Sequence, residues 1–173
     1  KIKNLLSHTA GWQPYINHPL TLLKKNGNLK NRFLSVKKKS NNLSFSKKLF
    51  IKSSFYRVIK KRIKKTELKD VGQYKYSGLF FCLIPELIKN ISGTDFENYL
   101  NSSFYKFLNS TLTFNPLNNH DLSKIVPTEI DMIFRKELVH GTVHDETAAL
   151  MGGISASSGL FSNAESIANL FFH

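Results

Sequence analysis

Thirteen residues, Leu79 to Ile91, form the longest apolar run in the sequence, and no other stretch constrains the fold so strongly. A run of this length exceeds an ordinary strand and suits a buried helix. It contains Pro85, Glu86 and Lys89, so it is too short and too polar to span a bilayer. Proline removes a backbone donor and crowds the preceding turn, so Pro85 either kinks this helix or marks its first half as irregular. Ser92-Gly93 ends it. The run is entered through Tyr76-Ser77-Gly78, and two readings of that entry stand side by side. Ser77 and Gly78 cap and ease a helix start, or a phenol is held at the mouth of the helix to do chemistry.

At 173 residues the chain is long enough for one domain with a real core. Hydrophobic residues make up 41% and charged residues 21%, within the range of globular chains. The net charge of +13 bears on solubility and anionic partners rather than on fold. Seventeen of the twenty-five Lys and Arg lie between Lys24 and Lys69, opposed only by Glu67. Arginine is scarce there and no nucleic-acid module is recognisable, which favours a solvated, lysine-rich insertion over a nucleic-acid interface. The single cysteine, Cys82, has no partner for an intramolecular disulfide and reads as small core filler.

Periodicity organises the remainder. Residues 2–10 place Ile2, Leu5, Leu6 and Thr9 on one helical face, with Gly11 at the position of a C′ glycine. Residues 24–54 have weak periodicity and read as a long excursion with one short helix. Residues 54–68 align Phe55, Val58, Ile59, Ile63 and, more loosely, Leu68 on a basic amphipathic helix. Packing against the domain is favoured over a membrane-surface role for it. Residues 94–103 form a further helix with Thr94 as N-cap and Asp95 and Glu97 in its first turn. Residues 110–117 read as extended, ending in a turn at Pro116. Residues 121–150 mix short apolar runs with charge and give no secure assignment. Ser162 and Glu165 form a capping box ahead of a last helix carrying Ile167, Ala168, Leu170 and Phe171. The chain opens at Lys1 on a periodic helix and stops at His173 with a helix still running, which reads as an internal segment of a longer protein.

Three patterns bear on chemistry. Ser-x-x-Lys, whose serine and lysine meet on one helical turn in Ser-Lys hydrolases, occurs at Ser35/Lys38, Ser44/Lys47 and Ser103/Lys106. Chance supplies about two such matches in so lysine-rich a chain, and two lie in the excursion. His140 and His144 are four apart, yet Gly141, Thr142 and Val143 between them are poor helix formers, so no metal site is assigned. Residues 151–162, MGGISASSGLFS, are small enough for close backbone approach but lack the lysine of a phosphate loop.

Taken in order, several segments resemble the β-lactamase-related serine hydrolases, a family that spans class C β-lactamases, D,D-peptidases and esterases. They are LLSHTAGW (5–12), YKYSGLFFCLIPELIKNISGTDFENYLNSSFYKFL (74–108), TFNPL (113–117), IVPTEIDMIFRKELVHGTVHDETAALMGG (125–153) and SGLFSNAESIANL (158–170). The resemblance is nearest to a Bacteroidetes-type branch often fused behind a family 3 glycoside hydrolase domain. It covers most of the chain outside the lysine-rich stretch.

The resemblance implies a mostly α fragment of an α+β fold, the helical portion of the serine β-lactamase/transpeptidase-like architecture with little of its antiparallel sheet. It implies one partial domain over 1–173, with the lysine-rich excursion at about 24–54. The Ser-x-x-Lys region would precede Lys1, and the sheet strand with the third motif would follow His173. Tyr76 matches the tyrosine that exchanges a proton with the nucleophilic serine in a Ser-Lys-Tyr acyl-enzyme mechanism. Where class C enzymes carry Asn two residues on, this chain has Gly78, which argues against penicillinase activity. Ser77, Gly78, His144, Asp145, Ser157 and Ser158 are the implied pocket residues. No metal or cofactor is implied. The implied substrate of the full-length protein is a small acyl, ester or peptidoglycan-like compound, in the periplasm or cell envelope, with no nucleic-acid partner and no transmembrane segment. The fragment alone is expected to be inactive, and the alternative is a non-catalytic envelope or cell-wall binding module derived from the same fold.

Overall fold

A computed structural model describes residues 1–30, 32–108 and 111–172. Helical residues, at 35%, outnumber strand residues, at 11%, and the strands form two small antiparallel sheets. In chain order the α-helices and strands are α1 (Ile2–Leu6), β1 (Leu34–Ser35), β2 (Asn42–Ser44), β3 (Phe50–Lys52), α2 (Phe55–Lys64), α3 (Ile84–Ser92), α4 (Phe96–Ser103), β4 (Glu129–Asp131), β5 (Glu137–Val139), α5 (Glu146–Leu150) and α6 (Ala164–Phe172), with short 3-10 turns of helix at Pro19–Leu22, Tyr105–Phe107, Pro116–Asn118 and Leu122–Lys124.

The lysine-rich stretch is part of the core. β3 runs between β1 and β2, pairing Leu34 with Ile51 and Leu43 with Ile51. Alternation along β3 turns Ile51 fully inward while Lys52 faces solvent. Leu34, Phe45 and Ile51 therefore pack against α2, and the lysines clothe the outside. The expected short helix within 24–54 is replaced by this sheet. Strands of two or three residues are too short for period-two patterning to stand out against the lysines.

α2 follows its expected pattern. Phe55, Ile59 and Ile63, spaced by four, share one face and are all buried. Each such side chain contributes about 1.5–3 kcal/mol by leaving water. Leu68, the loosest member of the stripe, lies beyond the helix and is exposed.

The apolar run is divided. Residues 79–83 form turns that bury Leu79, Phe80 and Cys82, and the regular helix starts only at Ile84. Pro85 sits in the first turn of α3, where its missing N–H costs nothing, so it starts the helix rather than kinking it. α3 has no fully buried residue, which corrects the expectation of a buried helix over the whole run. Gly93 closes it in the left-handed conformation (φ 73°) and donates its N–H to the Lys89 carbonyl.

Two further boundaries shift. The N-cap position of α4 is Asp95, not Thr94, and the Asp95 carboxylate pairs with Lys89 at 2.6 Å instead of capping. At α6, Asn163 Oδ1 accepts the Ser166 N–H at 2.8 Å, so Asn163 takes the capping role expected of Ser162. The region without assignment, 121–150, holds the β4–β5 hairpin and α5. The turn between β4 and β5 is organised by Asp131, whose carboxylate accepts N–H groups from Ile133, Phe134 and Arg135. Among the described residues no helix is long and apolar enough to cross a membrane.

Candidate active site

The segments around His8 and Tyr76 meet. His8 lies just after α1 with a left-handed backbone (φ 56°), which turns the chain back and exposes its ring and carbonyl to the 74–78 segment. Its Nδ1 accepts the Ser77 N–H at 3.2 Å. Its carbonyl accepts the Lys75 N–H at 2.8 Å. Its ring lies 4.7 Å from the Tyr76 ring and 5.9 Å from each of Tyr74 and Phe81. Ser77 Oγ donates to the Gln13 carbonyl at 2.7 Å, and the Gly78 N–H donates to the Pro14 carbonyl at 3.0 Å.

Tyr76 is thus held by its neighbours' backbone bonds while 60% of the residue stays exposed. Ser77 is buried, and its hydroxyl is committed to Gln13. That hydroxyl also accepts a long bond from the Leu79 N–H at 3.4 Å, within the turns that precede α3; the N-cap position of α3 is Leu83, so Ser77 does not cap the helix.

The second group of expected residues lies on the segment after β5. Asp145 caps α5, its Oδ1 accepting the Ala148 N–H at 2.7 Å. The His144 carbonyl accepts a bond from buried Arg135 at 2.9 Å, while its exposed ring approaches Glu129 at 3.7 Å. Among the described residues the Ser158 hydroxyl is buried without a partner, and Ser155 and Ser157 share a bond at 2.8 Å. His144, Asp145 and Ser158 line a cavity of about 690 Å³ whose other walls include His120, Lys124 and Phe161. Tyr76, Ser77 and Gly78 do not line it. The two groups approach each other at Cys82, whose Sγ donates to the Gly78 carbonyl at 3.8 Å and which is influenced by Ser157 and Asp145. Burial raises this thiol's pKa to about 11, the Ser157 hydroxyl opposes that rise, and the Asp145 carboxylate adds to it.

His8, His120 and Lys124 were not among the expected site residues. His8 carried a signal, since it sits inside the quoted LLSHTAGW, but its contact with Ser77 spans 69 positions and shows in no local pattern. His120 and Lys124 carried none.

The Ser-x-x-Lys triplets do not form helical pairs. Ser35 and Ser44 sit on strands, where their hydroxyls bond the Lys37 and Ser46 carbonyls, and Ser103 is the last residue of α4. His140 Nε2 meets the Ile125 carbonyl and His144 Nε2 approaches Glu129, so the two imidazoles have different partners. Among the described residues no three His, Cys, Asp or Glu side chains cluster as metal ligands.

The chain is similar to proteins named "Putative D-alanyl-D-alanine carboxypeptidase". The one from Escherichia coli (strain K12) is 33% identical over 123 residues, covering 62% of this chain and 28% of the relative. The one from Salmonella agona (strain SL483) is 32% identical over 123 residues, with the same coverage. The chain therefore spans little more than a quarter of the length of the curated relatives it matches. No protein-family model matches it.

Proposed function

We propose that these residues are the tyrosine-bearing part of a serine hydrolase of the D,D-peptidase/β-lactamase-related type, acting on a D-alanyl-D-alanine-like peptide or a related acyl ester of the cell envelope. The observation that carries this reading is the joining of the 5–12 and 74–81 segments through His8 and Ser77, which leaves Tyr76 anchored and open to solvent. The names of the similar proteins favour a peptidoglycan-type substrate over a generic ester. The helical part of a serine β-lactamase/transpeptidase-like fold is the architecture proposed with it. A glycoside hydrolase domain in the same polypeptide rests on the sequence resemblance alone.

In this mechanism the Tyr76 phenolate takes the proton from a serine hydroxyl as its oxygen bonds to the substrate carbonyl carbon. The phenol then returns that proton to the departing amine or alcohol, and water hydrolyses the acyl-enzyme. A free phenol has a pKa near 10, and a neighbouring lysine ammonium would favour the phenolate. Since none of the three Ser-x-x-Lys triplets here forms the helical pair, the nucleophile and its lysine are expected in chain outside these residues. His144, Asp145 and Ser158 would form a wall of the substrate cleft through the cavity they share; Ser157 does not line that cavity.

The test compares the complete polypeptide carrying this segment with its Tyr76→Phe variant, on a D-alanyl-D-alanine peptide and on an activated ester. Loss of about 10²–10⁴-fold in kcat with an unchanged fold is the expected result. The 173-residue chain alone should show no turnover. A Tyr76→Phe protein with full activity would overturn the assignment of the tyrosine. A complete polypeptide that forms no acyl-enzyme would instead favour the binding-module alternative.

A further inference from the structure

A cavity of about 620 Å³ opens beside the end of α2, away from the one lined by His144, and its lining carries Arg62, Lys65, Lys69 and Lys75 against a single acid, Glu67. We propose that it binds a compact phosphate-bearing anion. The proposal goes beyond the hydrolase reading and does not depend on it.

Among the described residues none of these four cations is ion-paired, while Lys60 and Lys89 nearby are each matched to a carboxylate at 2.6 Å. Arg62 is half-buried, and the loss of water around its guanidinium lowers its pKa. One of its nitrogens is fixed on the Asn17 carbonyl (3.3 Å) and His18 Nδ1 (3.2 Å), both neutral groups, so it is held in place without a counter-charge. A partly desolvated, pre-positioned guanidinium is suited to bind phosphate through its planar donor fork.

The rest of the frame is equally fixed. The Lys69 N–H donates to the Gly11 carbonyl at 2.9 Å, and the Lys75 N–H to the His8 carbonyl at 2.8 Å. A helix C-terminus favours cations, which accounts for Arg62 and Lys65 in part. It does not account for Lys69 and Lys75, which lie well past the helix yet face the same cavity. One carboxylate would leave most of this charge unmatched. A multiply charged phosphate or pyrophosphate would engage several of the cations at once.

Inorganic pyrophosphate is the probe, titrated calorimetrically into the 173-residue chain in about 150 mM salt, where diffuse attraction is screened. One-to-one binding is expected. The triple variant Lys65→Gln/Lys69→Gln/Lys75→Gln should weaken it about tenfold or more. The charge-matched control Lys37→Gln/Lys38→Gln/Lys39→Gln, in the loop between β1 and β2 and outside the cavity lining, should leave it unchanged. In the unmodified chain, pyrophosphate should shift the backbone amide resonances of Gly11 and Lys69, which gives a readout even if the triple variant fails to fold. A longer polyphosphate binding more tightly per chain end would identify a terminal phosphate of a polymer as the natural source, and equal affinity would identify a free small phosphate. Absence of binding, equal weakening by both triple variants, or resonance shifts spread over the lysine-rich sheet would overturn the proposal.

Discussion

The Ser77 N–H donates to His8 Nδ1 at 3.2 Å, a side-chain bond between residues 69 positions apart that adds to the backbone bonds joining their two segments. Replacing His8 by Ala removes the acceptor, leaves the buried Ser77 N–H unsatisfied and strips the ring from Tyr76. The expected loss is about 1–3 kcal/mol, read as a lower denaturant midpoint with an unchanged slope. His8→Gly suits the left-handed backbone and should lose less than His8→Ala, which separates the ring's contribution from backbone strain.

Gly11→Ala should be at least as damaging. A Cβ at this position would stand 2.6 Å from the Lys69 carbonyl oxygen, and φ is 77°. The backbone must shift, which breaks the Gly11–Lys69 pairing, and about 2 kcal/mol or more of stability should be lost. Chemical denaturation checks it, and a variant as stable as the parent would refute the close approach.

His18 sets an acid limit on stability. Burial, and then the neighbouring Arg62 charge, lower its pKa from 6.5 to about 4. The unfolded chain therefore takes up a proton between those values that the folded chain refuses. The stability associated with neutral His18 is fully present above pH 6.5, and it declines as pH falls toward 4. The decline is on the order of 3 kcal/mol. His18→Gln should flatten the unfolding free energy over this window, and an unaltered pH profile would show that His18 is not the group responsible.

Asp131 is the opposite case. Burial pushes its carboxyl up, but backbone donors from Phe134, Ile133 and Arg135, followed by the Arg135 charge, outweigh this and hold its pKa below the usual value. Its contribution is present above the unfolded pKa and disappears as pH falls through the lower folded one. Asp131→Ala would leave buried Arg135 without its carboxylate, 3.7 Å away, and should cost about 3–5 kcal/mol at neutral pH. Thermal unfolding of the variant measures this directly.

Where side-chain periodicity decides structure, the sequence was informative. Phe55, Ile59 and Ile63 announce α2 because the face they form is the face that is buried. The β4–β5 hairpin was not legible because apolar residues lie on both sides of it, with Ile130, Met132, Ile133 and Leu138 exposed and Phe134 and Val139 buried. The sheet around Ile51 was obscured by lysines that tell only of its outer surface. At the candidate site, Tyr76, Ser77 and Gly78 could be singled out from a local pattern. Their dependence on His8, Gln13 and Pro14 could not, since backbone bonds to distant residues leave no local trace.

The His8–Ser77 bond also closes a ring of polypeptide that encloses the three-stranded sheet and α2. Tethering chain ends so far apart costs entropy that only structure already formed inside the ring can offset. The tyrosine's mount is therefore expected to close after β3 and α2 have paired, and a destabilising substitution at Ile51 is expected to loosen it. The orientation of that phenol serves as a gauge of whether the whole enclosed unit is intact.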